Sequence, residues 1–141
     1  MSTSPKPLIY QATMNLRFSD FDSYGHLNSA SYVDLVIASR WDYQTHHLNM
    51  PPSEFVKKNV GFYLSRFEID FKRPVGIDQT SLHIRSWIPE INGHKVPAKF
   101  EILDVKKEKV FATGVFHFVS MNLTTLKPEP LPEWVLPFVF E

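Results

Sequence analysis

Residues 17–43 read RFSDFDSYGHLNSASYVDLVIASRWDY, a polar loop with two aspartates that opens into a long apolar segment. Leu16 to Phe21 alternates like the end of a strand, and Asp22, Ser23, Tyr24 and Gly25 have the composition of a turn. Asn28 or Ser29 can then cap a helix, because Ala30, Val33, Ile37 and Trp41 recur at helical spacing. The helix is predicted from about Ser29 to Leu48, where Asn49-Met50-Pro51-Pro52 stops it. A carboxylate thus stands a few residues ahead of a helix N-terminus. The unpaired N–H groups and partial positive charge of that end suit an oxygen that gains negative charge, as a carbonyl does in acyl transfer.

The first half of this helix is apolar almost all round, through Ala30, Tyr32, Val33, Leu35, Val36 and Ile37. A helix lying on a surface shows one polar face, so this one is expected to be enclosed. What encloses it is legible downstream. After a short helix at Ser53 to Asn59 the pattern changes to period two: Phe67, Ile69 and Phe71 share a face, with Glu68, Asp70 and Lys72 opposite. Leu82, Ile84, Ser86 and Ile88 repeat the alternation. Asn92-Gly93 is the strongest hairpin signal, predicting a type I′ turn that joins Thr80–Ile91 to Lys95–Val105. Beyond the charged turn Lys106 to Lys109, Ala112, Gly114, Phe116 and Phe118 alternate with Thr113, Val115, His117 and Val119 in one more strand.

Upstream, a strand is expected from near Ile9 to about Phe18, behind a loose arm over about residues 1–8. At the other end, prolines at 128, 130, 132 and 137 rule out further regular sheet and predict an extended strap over about residues 123–141. Its Trp134, Val135, Leu136, Phe138 and Phe140 need apolar support. The whole chain, 1–141, then reads as one α+β domain, an antiparallel sheet curled around one long central helix.

Lys plus Arg and Asp plus Glu both number 15, so no net charge draws the 141-residue chain to nucleic acid or anionic lipid. The absence of cysteine removes a catalytic thiol, a thiolate zinc site and a disulfide framework. Neither a secretion signal nor an apolar run near the ~20 residues needed to cross a bilayer is present, which points to a cytoplasmic protein without membrane insertion. No G-x-S-x-G elbow, glycine-rich phosphate loop or dinucleotide fingerprint occurs, and no cofactor or metal is expected. The adjacent His46 and His47 point apart on a helix and read as surface residues.

Asp20-Phe21-Asp22-Ser23-Tyr24-Gly25-His26-Leu27-Asn28 followed by Tyr32 resembles the D-x-D-x-x-G-H-x-N-x-x-x-Y signature of the 4-hydroxybenzoyl-CoA thioesterase family, acyl-CoA thioesterases of the hotdog fold. Phe71-Lys72-Arg73-Pro74 with Gly76-Ile77-Asp78, and Val119 to Asn122 with Lys127-Pro128 and Leu131-Pro132, resemble later segments of that family in the same order. The resemblance implies that Asp22 is nucleophile or general base, where the residues alone favour a turn carboxylate or helix cap. It implies that N–H groups near Asn28 and Ser29 hold the oxyanion, and that Asn28 caps the helix and walls the site.

Tyr24, Gly25, His26 and Tyr32 are then expected to shape the substrate site, Gly25 through positive φ or close approach and His26 through hydrogen bonds in the turn. Lys72 and Arg73 are expected to meet the phosphates of coenzyme A. Asp20 is expected to be structural, bonded to backbone or to Arg17, and on the same side of a strand as Asp22. The implied substrate is an acyl- or aryl-CoA. An acyl-carrier-protein thioester and a non-catalytic acyl-thioester-binding module stay open. A homodimer or tetramer is expected, since the sheet leaves an open edge and Val115, His117 and Val119 have no evident cover.

Overall fold

In the computed structural model, which describes residues 5–141, the chain runs β1 (Tyr10–Asn15), α1 (Ser29–His46), α2 (Pro52–Lys57), β2 (Val60–Phe71), β3 (Ser81–Trp87), β4 (Lys95–Leu103), β5 (Val110–Asn122) and β6 (Lys127–Pro128). The strands form one antiparallel sheet in the order β1-β3-β4-β5-β2, with β6 a two-residue addition to β5. The register aligns apolar side chains into rows. Tyr10, Ser86, Phe100, Gly114 and Ile69 follow one another across the sheet, and Ala12, Ile84, Ile102, Ala112 and Phe71 form the next row. Residues from these rows and from α1 make one core, with Leu82, Ile84, Ile102 and Ala112 inaccessible to solvent. Burying each such Leu or Ile side chain is worth about 1.5–3 kcal/mol. The predicted face of Phe67, Ile69 and Phe71 is confirmed, since these residues pair with Phe116, Gly114 and Ala112.

Helix α1 lies against this face through Tyr32, Leu35, Val36 and Ser39. The stripe of Ala30, Val33, Ile37 and Trp41 is turned to the flank, and Trp41 is 56% exposed. Both stripes are apolar, so spacing alone does not choose between them. No described helix is long and apolar enough to cross a membrane.

Four expectations are corrected. The first strand ends at Asn15, and Phe18–Asp20 is a 3-10 turn, because Asp20 folds back on Arg17. Asp20 and Asp22 therefore do not share a strand face. The Asn92-Gly93 hairpin turn exists, but its central residues are Gly93 and His94, and only Gly93 has positive φ, as in a type II′ turn. Of the loose arm expected over residues 1–8, residues 1–4 lie outside the described residues, whereas Lys6 to Leu8 are tied to the C-terminal segment: Leu8 N–H donates to Val139 O at 2.9 Å and Glu141 N–H to Lys6 O at 2.8 Å. The strap itself is not simply extended. It contains β6 and a 3-10 turn at Glu133–Phe138, and the apolar support it needs is the molecule's own flank, where Trp134 stacks on Phe55 at 5.4 Å and Val135 and Val139 are buried.

The outer face is polar and self-paired. Glu68 reaches His117 at 3.1 Å and Arg85 reaches Glu101 at 3.5 Å, while Val119 is buried. Val119 is thus covered within the chain, whereas His117 is paired with its side chain 38% exposed and Val115 is half-buried. The open element is β2, an edge strand of 12 residues that exposes Phe62, Tyr63, Phe67 and Phe71.

Candidate active site

Loop 16–28 is folded by its own backbone and by its two carboxylates, which do opposite things. Asp20 is buried: Oδ2 accepts from Arg17 N–H at 2.7 Å, and Oδ1 accepts from the Arg17 guanidinium at 3.2 Å and the Ser31 hydroxyl at 3.4 Å. Burial pushes its pKa up. The hydrogen bonds from Arg17 and Ser31 outweigh that and hold the carboxyl below its usual range. The structural part read for Asp20 is what the geometry shows.

Asp22 is exposed. Its Oδ1 accepts from Tyr24 N–H at 2.9 Å and His26 N–H at 3.1 Å, while Oδ2 has no donor among the described residues. The loop crosses back on itself, with Asp22 N–H donating to His26 O at 2.8 Å and Gly25 N–H to Asp22 O at 3.0 Å. Gly25 has φ +75, and a Cβ there would meet only Ile77 at 4.0 Å, so backbone conformation and not crowding calls for glycine. A bridge from His26 to Gly76 and a bond from Leu27 N–H to Val75 O at 2.8 Å tie the loop to the segment after β2. His26 shapes the turn through its main chain, and the Tyr24 ring is exposed.

At the helix start, Asn28 is the cap: its Oδ1 accepts from Ala30 N–H at 3.0 Å and Ser31 N–H at 3.3 Å. The Asn28 N–H donates to Asp20 O at 2.8 Å. Of the two main-chain donors expected near the oxyanion, the one at Asn28 is therefore engaged. The Ser29 N–H has no acceptor among the described residues. Ser29 lines a cleft of about 310 Å³ together with Leu27, Tyr32, Phe71, Lys72, Arg73 and Pro74. This cleft gathers Ser29, Tyr32, Lys72 and Arg73, whereas Asp22, Tyr24, Gly25, His26 and Asn28 belong to the loop that leads into α1 and are not among its lining residues.

Tyr32 is buried with its ring edge-on to Phe71 at 5.0 Å. Burial raises its pKa and a backbone hydrogen bond with Val75 offsets only part of that, so the phenol stays protonated and serves as wall. Lys72 and Arg73 are exposed and have no acidic partner among the described residues, while both their N–H groups reach Phe111 O. The contribution of Ser31, which ties Asp20 to the helix, was not read from sequence, because a serine beside a cap has no distinguishing pattern.

A family model described as the thioesterase-like superfamily matches residues 16–139. The chain belongs to that superfamily. Thioester hydrolysis is thereby its class of reaction. Long-chain acyl-CoA thioesterase FadM of Escherichia coli is 25% identical over 122 residues, covering 83% of this chain and 86% of that protein. The DHNA-CoA thioesterase of Staphylococcus aureus superposes with a TM-score of 0.78 at 16% identity, covering 92% of this chain and 85% of that one. The 1,4-dihydroxy-2-naphthoyl-CoA thioesterase of Synechocystis gives 0.77 at 17%, covering 89% and 90%. These structures show that the curled sheet and central helix are the hotdog fold, as the resemblance implied.

The Asp20 geometry carries a pH signature. Its folded pKa lies below the unfolded one, so its contribution is complete above about pH 4 and is lost as pH falls through the folded value. Asp20→Asn is expected to lower unfolding free energy by about 1–3 kcal/mol at pH 7. In urea denaturation at falling pH that difference from the parent narrows below about pH 4. An unchanged gap would remove the ionised carboxylate as the tie.

Proposed function

We propose that the chain hydrolyses an acyl- or aryl-CoA thioester to the free acid and coenzyme A. Either Asp22 attacks the thioester carbonyl, so that a carbon–oxygen bond forms, the carbon–sulfur bond breaks and water then hydrolyses the acyl-aspartate anhydride to the free acid, or Asp22 takes the proton from a water that attacks the carbonyl directly; in both cases the leaving thiolate takes up a proton. The Ser29 N–H, at the positive end of α1, receives the oxyanion. The observation that carries this reading is a pair of unspent groups, one in the loop and one at the helix end into which the loop leads. Asp22 has one oxygen fixed by two N–H groups and the other without a donor, and the adjoining helix end keeps one N–H without an acceptor. FadM and the two naphthoyl-type enzymes bear names for long-chain and aryl substrates, which supports a CoA thioester here.

Lys72 and Arg73 stand at the rim of the cleft without acidic partners and suit the phosphates of the nucleotide. The working unit in this reading is a homodimer, or two dimers paired, joined at the exposed β2 edge. Static light scattering at micromolar concentration is expected to read at least two chains, and an active monomer would exclude this.

Asp22→Asn keeps the size and the Oδ1 hydrogen bonds but removes the charge. It is expected to lower kcat by about 10²–10⁴ with acyl-CoA still bound. A variant as fast as the parent on every acyl-CoA tried would end the proposed mechanism. Changing both Lys72 and Arg73 to Ala is expected to raise KM for acyl-CoA with kcat little changed, since contacts to the remote nucleotide serve ground and transition states alike. An acyl-pantetheine substrate is expected to show no such rise, and equal losses on both substrates would place the nucleotide elsewhere.

A further inference from the structure

Arg40 sits in the middle of α1, only 9% exposed, in a setting that gives it no anion. One Nη donates to the Ser86 hydroxyl at 2.8 Å and the guanidinium carbon lies 4.2 Å from the centre of the Tyr10 ring. No carboxylate of the described residues forms an ion pair with it. A buried charge ordinarily has an opposite charge or a full set of acceptors, because water has been taken from it and a hydroxyl and a ring replace little of that loss. Arg40 also lines a cavity of about 410 Å³, within the size range of small-molecule sites. Apart from Gln44 and Tyr10, whose hydroxyl is spent on Phe138 O, the other walls are apolar, among them Ile37 of α1, Phe55 of α2, Leu64 of β2, Phe118 of β5 and Val135 of the C-terminal segment.

We propose that this cavity binds a carboxylate carried on an apolar body, a fatty-acid-like molecule, with the Arg40 guanidinium as the partner of the carboxylate. The planar fork of an arginine matches the two oxygens of a carboxylate, and the hydroxyl of Ser86 already fixes its orientation. The apolar walls accept the tail, and Trp41 and Phe62, partly exposed, stand where the cavity meets solvent. Arg40 follows Ser29 by eleven residues of helix, roughly 16 Å of axis. The site is therefore separate from the Asp22 loop and stands whether or not Asp22 is the reacting group. The carboxylate has two possible sources, a free acid or the distal carboxyl group of an ω-carboxyacyl thioester.

The test is isothermal titration of the full chain with sodium decanoate and with 1-decanol, which keeps the tail and lacks the charge. Saturable decanoate binding is expected, at least about tenfold tighter than decanol. Arg40→Met, which keeps much of the side-chain volume, is expected to lose that preference, and decanoate raises the Tm of the parent but not of this variant. Ile37→Trp fills the cavity with Arg40 retained and is expected to lose decanoate binding too, which separates occupancy from any folding defect at residue 40. Equal affinity for acid and alcohol, or decanoate binding undiminished in both variants, overturns the proposal. Turnover assigns the source: a KM rise in Arg40→Met confined to the ω-carboxy analogue of decanoyl-CoA marks the substrate's own distal carboxylate, and equal KM values for both thioesters mark the free acid. The titration needs no turnover, so its failure and a failure of the hydrolase reading are told apart.

Discussion

The structure depends on one steric arrangement, a helix lying in the concave face of a sheet that must curl to hold it. Gly114 pairs with Ile69 and Phe100 inside the sheet. A Cβ at residue 114 would fall 2.1 Å from Glu68 O and 2.7 Å from the Phe100 ring, so the absence of a side chain is what lets strand, ring and neighbouring backbone converge. With α1 held by this trough, its two ends face different surroundings. The N-terminus meets the far end of β2 and makes the cleft that Lys72 and Arg73 line, and the C-terminal half meets α2, the start of β2 and the C-terminal segment and makes the larger cavity around Arg40. Strand β2 serves both because a bulge between Leu64 and Arg66 resets its alternation midway.

Preorganisation is the property the loop adds. Asp20 anchors the loop to Arg17 and Ser31, Asn28 bridges it to the first turn of α1, and bonds to Val75 and Gly76 fasten it to the sheet side. A reacting carboxylate needs little reorganisation in such a frame, and the catalytic power of fixed dipoles comes from their being aimed beforehand.

Much of this was legible in sequence where local rules agree with the fold. The long helix, its Asn28 cap and the period-two strands followed from spacing and from residue chemistry that tertiary packing reinforced. The misreadings share a cause. Leu16 to Phe21 looks like strand because alternation is blind to a side chain such as Asp20 that binds its own backbone three residues earlier. The stripe from Ala30 to Trp41 marks the helix but does not say which side meets the sheet, because both sides of α1 are apolar. Asn28 and Ser29 were inseparable as donors, since which N–H is left over depends on Asp20 O arriving from the preceding turn. Arg40 carried no signal, because a lone arginine in a helix reads as surface until its burial is seen.

The unsatisfied donor at Ser29 belongs to the main chain, and that has an evolutionary consequence. No ordinary side-chain exchange at this position deletes it; only proline does. Residue 29 is the first residue of α1, where proline is well accommodated, and Asn28 before it has φ −73 and ψ 151, the extended conformation that a following proline favours. Under the proposed chemistry, one codon change can silence the site while the scaffold persists intact. A descendant bearing proline here would keep the shape of a hydrolase and the binding surfaces of one, and be free to take up another trade.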